Sequence, residues 1–60
     1  MKPGDLVRYE LFPDEVYYGY VMYLDTDYAN DVFYRIRWTD GTESDEYERE
    51  LHNSVIKVIQ

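Results

Sequence analysis

The chain reads as an all-β domain of five short strands in a small, strongly bent barrel, with one 3₁₀ or α turn before the last strand. Three observations predict this. Two runs, Val16 to Leu24 and Val32 to Trp38, are dense in β-branched and aromatic residues. Asp40-Gly41 follows the second run directly and supplies turn chemistry for a hairpin. No ten-residue window carries a clean stripe of helical period, and strands of about five residues in a 60-residue chain cannot form a two-sheet sandwich of immunoglobulin size.

The elements follow in order. Pro3-Gly4-Asp5 opens a turn into a first strand, Leu6-Val7-Arg8-Tyr9. Glu10 to Glu15 contains Pro13 and is predicted to be a loop, with Leu11 and Phe12 plugging the end of the core. Val16 to Leu24 is the second strand; Gly19 inside it predicts a bend or a close backbone approach. Gly19, Val21 and Tyr23 are expected on one face, and Tyr18, Tyr20, Met22 and Leu24 on the other. Asp25 to Asp31 is a loop. In the third strand Val32, Tyr34, Ile36 and Trp38 form the core face, because the alternative set would bury Arg35 and Arg37. With a two-residue turn at Asp40-Gly41, Trp38 would face Glu43, Arg37 would face Ser44 and Arg35 would face Glu46, a register open by one residue. A short strand runs from about Thr42 to Tyr47. Glu48 to Asn53 is a helical turn with Leu51 pointing inward, and Val55 to Ile59 closes the chain, with Lys57 marking a wet face or a charged edge.

Residues 1–60 have room for one domain with one small core, and a chain of this size is held by only about 3–5 kcal/mol. Cysteine is absent, so the core has no disulfide or thiolate metal site to help it. Thirteen acidic residues against six basic ones give a net charge of −7, so basic proteins suit the chain better as partners than phosphates do. Direct nucleic-acid binding and contact with anionic membranes are disfavoured on that ground. The opening Met1-Lys2-Pro3-Gly4-Asp5 leads straight into a strand with no apolar run of signal or membrane length, so a cytoplasmic location is expected.

Several short motifs carry the rest of the pattern. Gly4-Asp5-Leu6-Val7 has the form G-D-x-V, Gly19-Tyr20-Val21 has the form G-x-V, and Tyr34 to Gly41 has the form Y-x-V-x-W-x-D-G with Ile36 at the valine position. Leu51 and the run Ile56-Lys57-Val58-Ile59 complete it. Across nearly the whole chain this resembles the SH3-like small barrels of the Tudor and chromo-barrel kind. Arg37 to Ser44 is similar to the V-R-W-x-D-G-x-E-S segment of small bacterial and phage domains that share that barrel. The resemblance implies a fold and leaves the role open, since these barrels host many functions. Tudor-type readers hold a methylated Lys or Arg between aromatic rings at one barrel end. The resemblance places such a cage on Tyr17 or Tyr18, Tyr23, Tyr34 and Trp38, with Tyr9 or Phe12 ending the first strand and Asp25, Asp27 or Asp40 as the acid.

The candidate binding residues are therefore Tyr18, Tyr20, Tyr23, Tyr34, Trp38, Asp40 and Glu43. Eight tyrosines in so short a chain offer large, rigid contact area with polar tips. From Asp40 to Glu50, six acids against Arg49 alone form an acidic docking face. The expected function is a non-enzymatic protein-binding module that uses this aromatic and acidic surface on a partner with a basic surface. The alternatives are a structural homo-oligomer, such as a homodimer on the second strand, or an accessory subunit of a larger assembly, and an acidic mimic of nucleic acid. His52 with Ser44 or Ser54 is a weak set for acid–base chemistry, and Asp25 to Asp31 lacks the central glycine and terminal glutamate of a calcium loop. No catalytic residues, metal ligands or cofactors are expected.

Overall fold

The computed structural model describes residues 1–12, 14–51 and 55–59, the Phe12 side chain excepted. The strands are β1 (Leu6–Phe12), β2 (Glu15–Thr26), β3 (Val32–Trp38), β4 (Glu43–Tyr47) and β5 (Ile56–Val58), and one helical turn, α1 (Glu48–Leu51), follows β4. They form a single antiparallel sheet in the order β4-β3-β2-β1-β5, a four-stranded meander whose first strand takes the last on its free side. β4 and β5 are the edges, both short and both carrying charge, which blunts pairing with other chains.

The core is small. Val7, Val21 and Ile36 are at most 1% exposed, and Ile56 and Tyr34 complete the buried cluster. Met1, Tyr9, Trp38 and Leu51 pack around it. One four-residue helix is too little to cover a flat sheet, so burial this complete requires the sheet to curl over its own inner face. The expected core face of β3 is correct: Tyr34 and Ile36 are buried and Trp38 half-buried, while Arg35 and Arg37 point outward.

Three expectations are overturned by local geometry. Glu10 to Phe12 continues β1 rather than looping, with a register slip between Glu10 and Phe12 that leaves Leu11 unpaired and exposed instead of plugging the core. Phe12's side chain, His52 and Ser54 lie outside the described residues. In β2 a second slip falls between Val21 and Tyr23, so Met22 is an extra residue and the alternation reverses there. Tyr23 therefore stands opposite Arg35 on the outer face with Tyr20, not beside Val21, and Leu24 moves to the Tyr34 side.

The third correction is the hairpin register. Trp38 donates its N–H to the Thr42 carbonyl at 2.8 Å, and Gly41 donates to the Trp38 carbonyl at 3.0 Å. Gly41 has φ 90°, the left-handed residue that closes a three-residue loop Thr39-Asp40-Gly41. Asp40 caps the loop, its Oδ1 accepting from the Thr42 N–H and hydroxyl. One extra loop residue moves every pair by one: Arg37 faces Glu43, Ile36 faces Ser44, Arg35 faces Asp45 and Tyr34 faces Glu46.

Gly19 is a close approach. A methyl group there would lie 2.6 Å from the Arg37 carbonyl oxygen and 2.8 Å from Trp38 Cε3. Gly19→Ala must push β3 away or turn the Trp38 ring, at a cost of about 1–3 kcal/mol. In a domain this marginal, we expect a clear fall in the urea midpoint together with a shifted Trp38 emission maximum in the folded state.

Candidate functional site

The two faces of the sheet carry different chemistry. On the outer face β2 shows Tyr18, Tyr20 and Tyr23, all close to half exposed. Tyr18 is the register partner of Arg8, Tyr20 of Leu6 and Arg37, and Tyr23 of Arg35. Beyond the arginines, Arg35 donates to Glu43 at 3.1 Å and to Asp45 at 2.9 Å, and Arg37 lies 3.6 Å from Glu43. Those hydrogen bonds raise the Arg35 pKa above its usual value. Such exposed cross-strand pairs are screened by solvent and add little to stability, but they fix which groups are paired. Glu43 is thus committed to the sheet, and Arg35 is held between two carboxylates.

The open end of the inner face holds a different constellation. Tyr9 lies midway along β1, Tyr17 near the start of β2 and Trp38 at the end of β3, so three neighbouring strands bring three rings together. Tyr9 and Tyr17 are register partners with ring centroids 6.2 Å apart, and Tyr9 meets Trp38 edge-on at 6.0 Å. The indole N–H of Trp38 donates to Ser44 Oγ at 2.9 Å, which fixes the ring's orientation. Asp40 and Glu46 stand on the rim of the same hollow, with Thr42 and Ser44 between them, around a volume of about 390 Å³. Glu46 makes no ion pair among the described residues. The two hydrogen bonds from Thr42 hold the Asp40 carboxyl below its ordinary value.

The structure thus divides the residues chosen from sequence. Trp38 and Asp40 meet in this cup, joined by Tyr9 and Tyr17. Tyr18, Tyr20 and Tyr23 share the outer face with Glu43. Tyr34 is buried in the core, unavailable to a ligand. Asp25, near the end of β2, and Asp27, which begins the β2–β3 loop, stand at the opposite end of the β2–β3 ladder from Trp38. Glu46 was missed as a rim residue; the three-residue hairpin register would have found it, because it sets Ser44 and Glu46 on the same face as Ile36 and Tyr34. Among the described residues no group of three or more His, Asp or Glu is arranged to hold a metal ion, and no helix is long and apolar enough to cross a membrane.

A second cluster organises that far loop. Asp27 Oδ1 accepts from the Ala29 and Asp31 N–H groups, and Asp27 Oδ2 accepts from the Tyr47 hydroxyl at 3.1 Å. Arg49 pairs with Asp31 and lies 5.2 Å from the Tyr47 ring centroid. Asn30 takes a left-handed φ of 64°, which asparagine tolerates. Burial opposes charge on Asp27, yet the backbone and Tyr47 hydrogen bonds outweigh it and lower its pKa.

Comparisons with protein families, with characterised proteins and with solved structures find no match to this chain.

Asp5, Asp27 and Asp40 all have carboxyl groups held below the ordinary 3.8, Asp5 chiefly by its hydrogen bond from Lys2. A carboxyl lowered in the folded state adds stability above its unfolded pKa and loses it as pH falls through the folded one. The melting temperature should therefore fall as the pH drops below about 4, and Asp27→Asn should flatten that acid limb in a thermal scan. An acid limb equally steep in Asp27→Asn would place the titrating groups elsewhere.

Proposed function

We propose that the protein is a non-enzymatic binding module that takes a cationic side chain of a protein partner into the cup of Tyr9, Tyr17 and Trp38. The observation that carries this reading is the convergence of three aromatic rings with Asp40 and Glu46 at one open end of the sheet. Ring faces attract a cation, and two rim carboxylates supply the opposite charge. The hydrogen bond from the indole to Ser44 sets the ring before a ligand arrives, so little ordering is left to binding. The net charge of −7 draws a basic partner toward the site.

The resemblance to Tudor-type barrels supports the same reading: in those readers too, aromatic side chains at one end of the barrel receive the charged group. Under this proposal the cage is Tyr9, Tyr17 and Trp38 with Asp40 and Glu46, rather than one including Tyr23 or Tyr34. Methylation would favour binding, since a methylated ammonium keeps its charge and sheds water more readily. A cytoplasmic setting and a small bacterial or phage origin are consistent with this proposal and rest on sequence alone.

The test is a titration with short peptides carrying lysine, trimethyl-lysine or arginine, read by the emission of Trp38, the chain's only tryptophan. We expect a saturable change with at least one of them. Tyr17→Ala or Glu46→Gln should weaken it about two- to thirtyfold, while Tyr20→Ala, on the opposite face, should leave it unchanged. An unmoved Trp38 signal at saturating peptide, or equal affinity in all three variants, sinks the proposal.

A further inference from the structure

Tyr28 is fully exposed at the tip of the β2–β3 loop. An exposed tyrosine on a loose loop would need no explanation. This loop is instead pinned from both sides. Within it, Asp27 donates its N–H to the Asp31 carbonyl and accepts Asn30's N–H on its own carbonyl, both at 3.0 Å. From outside, Tyr47 on β4 holds Asp27, and Arg49 on α1 holds Asp31. The fold thus fixes the backbone beneath one fully exposed aromatic ring, on a tip whose strand ends and turns carry Asp25, Asp27 and Asp31.

At the other end of β2 the outer face has a groove of about 350 Å³ with a mostly apolar lining. Tyr18 and Tyr20 wall it, two residues apart and so separated by about 7 Å, room for one further ring between them. Gly19 floors it. Leu6 and Ile59 close the β5 side, and Arg37 and Thr39 the β3 side. Arg8, Lys57 and Arg37 stand around this groove with Glu10 and Glu43 as the neighbouring carboxylates, and Lys57 makes no ion pair among the described residues. Arg8 is paired with Glu10 and Arg37 with Glu43, so Lys57 leaves this patch one cation in excess, on a chain with more than twice as many acids as bases.

We infer that the groove between Tyr18 and Tyr20 receives Tyr28 of a second copy. The fit is one of shape and of charge: a ring flanked by carboxylates against a ring-wide groove flanked by cations. Six residues of extended strand separate Tyr20 from Thr26, about 20 Å, so a chain cannot place its own knob in its own groove. The contact is therefore between copies: made reciprocally, each tip in the other's groove, it closes a two-fold dimer, and made one way it adds copies head to tail. Trp38 borders both this groove and the cup, but Tyr9, Tyr17, Asp40 and Glu46 border the cup alone, so the inference does not rest on what the cup binds.

Complementation tests this. Tyr28→Ser removes the knob and keeps the groove. Thr39→Glu puts a carboxylate at the groove mouth and keeps the knob; Tyr18→Ser is a second groove variant that removes one wall. All three sites are exposed, and circular dichroism confirms that each variant folds. Solution mass is read at rising concentration in about 0.5 M salt, where repulsion between copies is screened. Wild type should associate, to a dimer or beyond, as concentration rises. Each variant alone should associate about tenfold more weakly or worse. An equimolar mixture of Tyr28→Ser with either groove variant should give a 1:1 complex that grows no further. A wild type that stays monomeric at millimolar concentration, variants that associate like wild type, or a mixture that stays monomeric would each overturn the inference.

Discussion

The structure depends on β2 serving two neighbours at once. It is the longest strand, pairs with β1 on one side and β3 on the other, and must bend for the sheet to cover its own core. Two features of its sequence make that feasible. At Gly19 the backbone and the Trp38 ring of β3 come so near that no side chain fits, and Trp38 packs against the buried cluster. Three residues later the strand carries an extra residue, Met22, and its alternation reverses. Without the first, the inner face would not close around Val7 and Ile36. Without the second, a strand apolar on both sides would have to bury Tyr23 or leave Val21 in water.

The same bend accounts for the separation of the two aromatic surfaces. Tyr17 and Tyr18 are adjacent in sequence and lie on opposite sides of one strand. Tyr17 joins Tyr9 and Trp38 at the open end of the inner face; Tyr18 joins Tyr20 outside. Carboxylates divide accordingly. Asp40 and Glu46 are left to the cup, whereas Glu43 and Asp45, alternating with them along the hairpin, are tied to Arg35 and Arg37. One face therefore presents acids beside rings, and the other presents cations beside rings. A uniformly acidic composition conceals this division.

What was legible from sequence was what alternation alone determines. Val32 to Trp38 matched in both extent and face, because β-branched and aromatic residues alternate there with two arginines that cannot be buried. Gly19 was legible as a close approach, and α1 as a turn before the last strand. What was not legible depended on single insertions. Met22 looks like any other apolar strand residue, yet as a bulge it decides the side on which Tyr23 lies. Asp40-Gly41 reads as a two-residue turn, and only the hydrogen bonds from Gly41 to Trp38 and from Trp38 to Thr42 reveal three. In a strand with period two, one residue of slip exchanges the faces. On the expected register Glu43 stands opposite Trp38 and Glu46 opposite Arg35; the observed one sets Glu43 opposite Arg37 and Glu46 opposite Tyr34.

The clamp on the β2–β3 loop raises the remaining question of why a marginal domain would order so exposed a segment. Ordering each residue of a loop costs about 1–2 kcal/mol of conformational entropy, an amount that matters against a total of a few kcal/mol. The Asp27 and Asp31 contacts offset that cost, but they bury no core residue and hold nothing except the tip itself. Had the loop only to connect β2 to β3, a tight turn would have served with fewer residues. The loop carries Tyr28 clear of the sheet, and its hydrogen bonds order the backbone beneath the ring. Backbone order under a fully exposed aromatic side chain lowers the entropy that a contact through that ring has still to give up, because that order is in place before the contact forms.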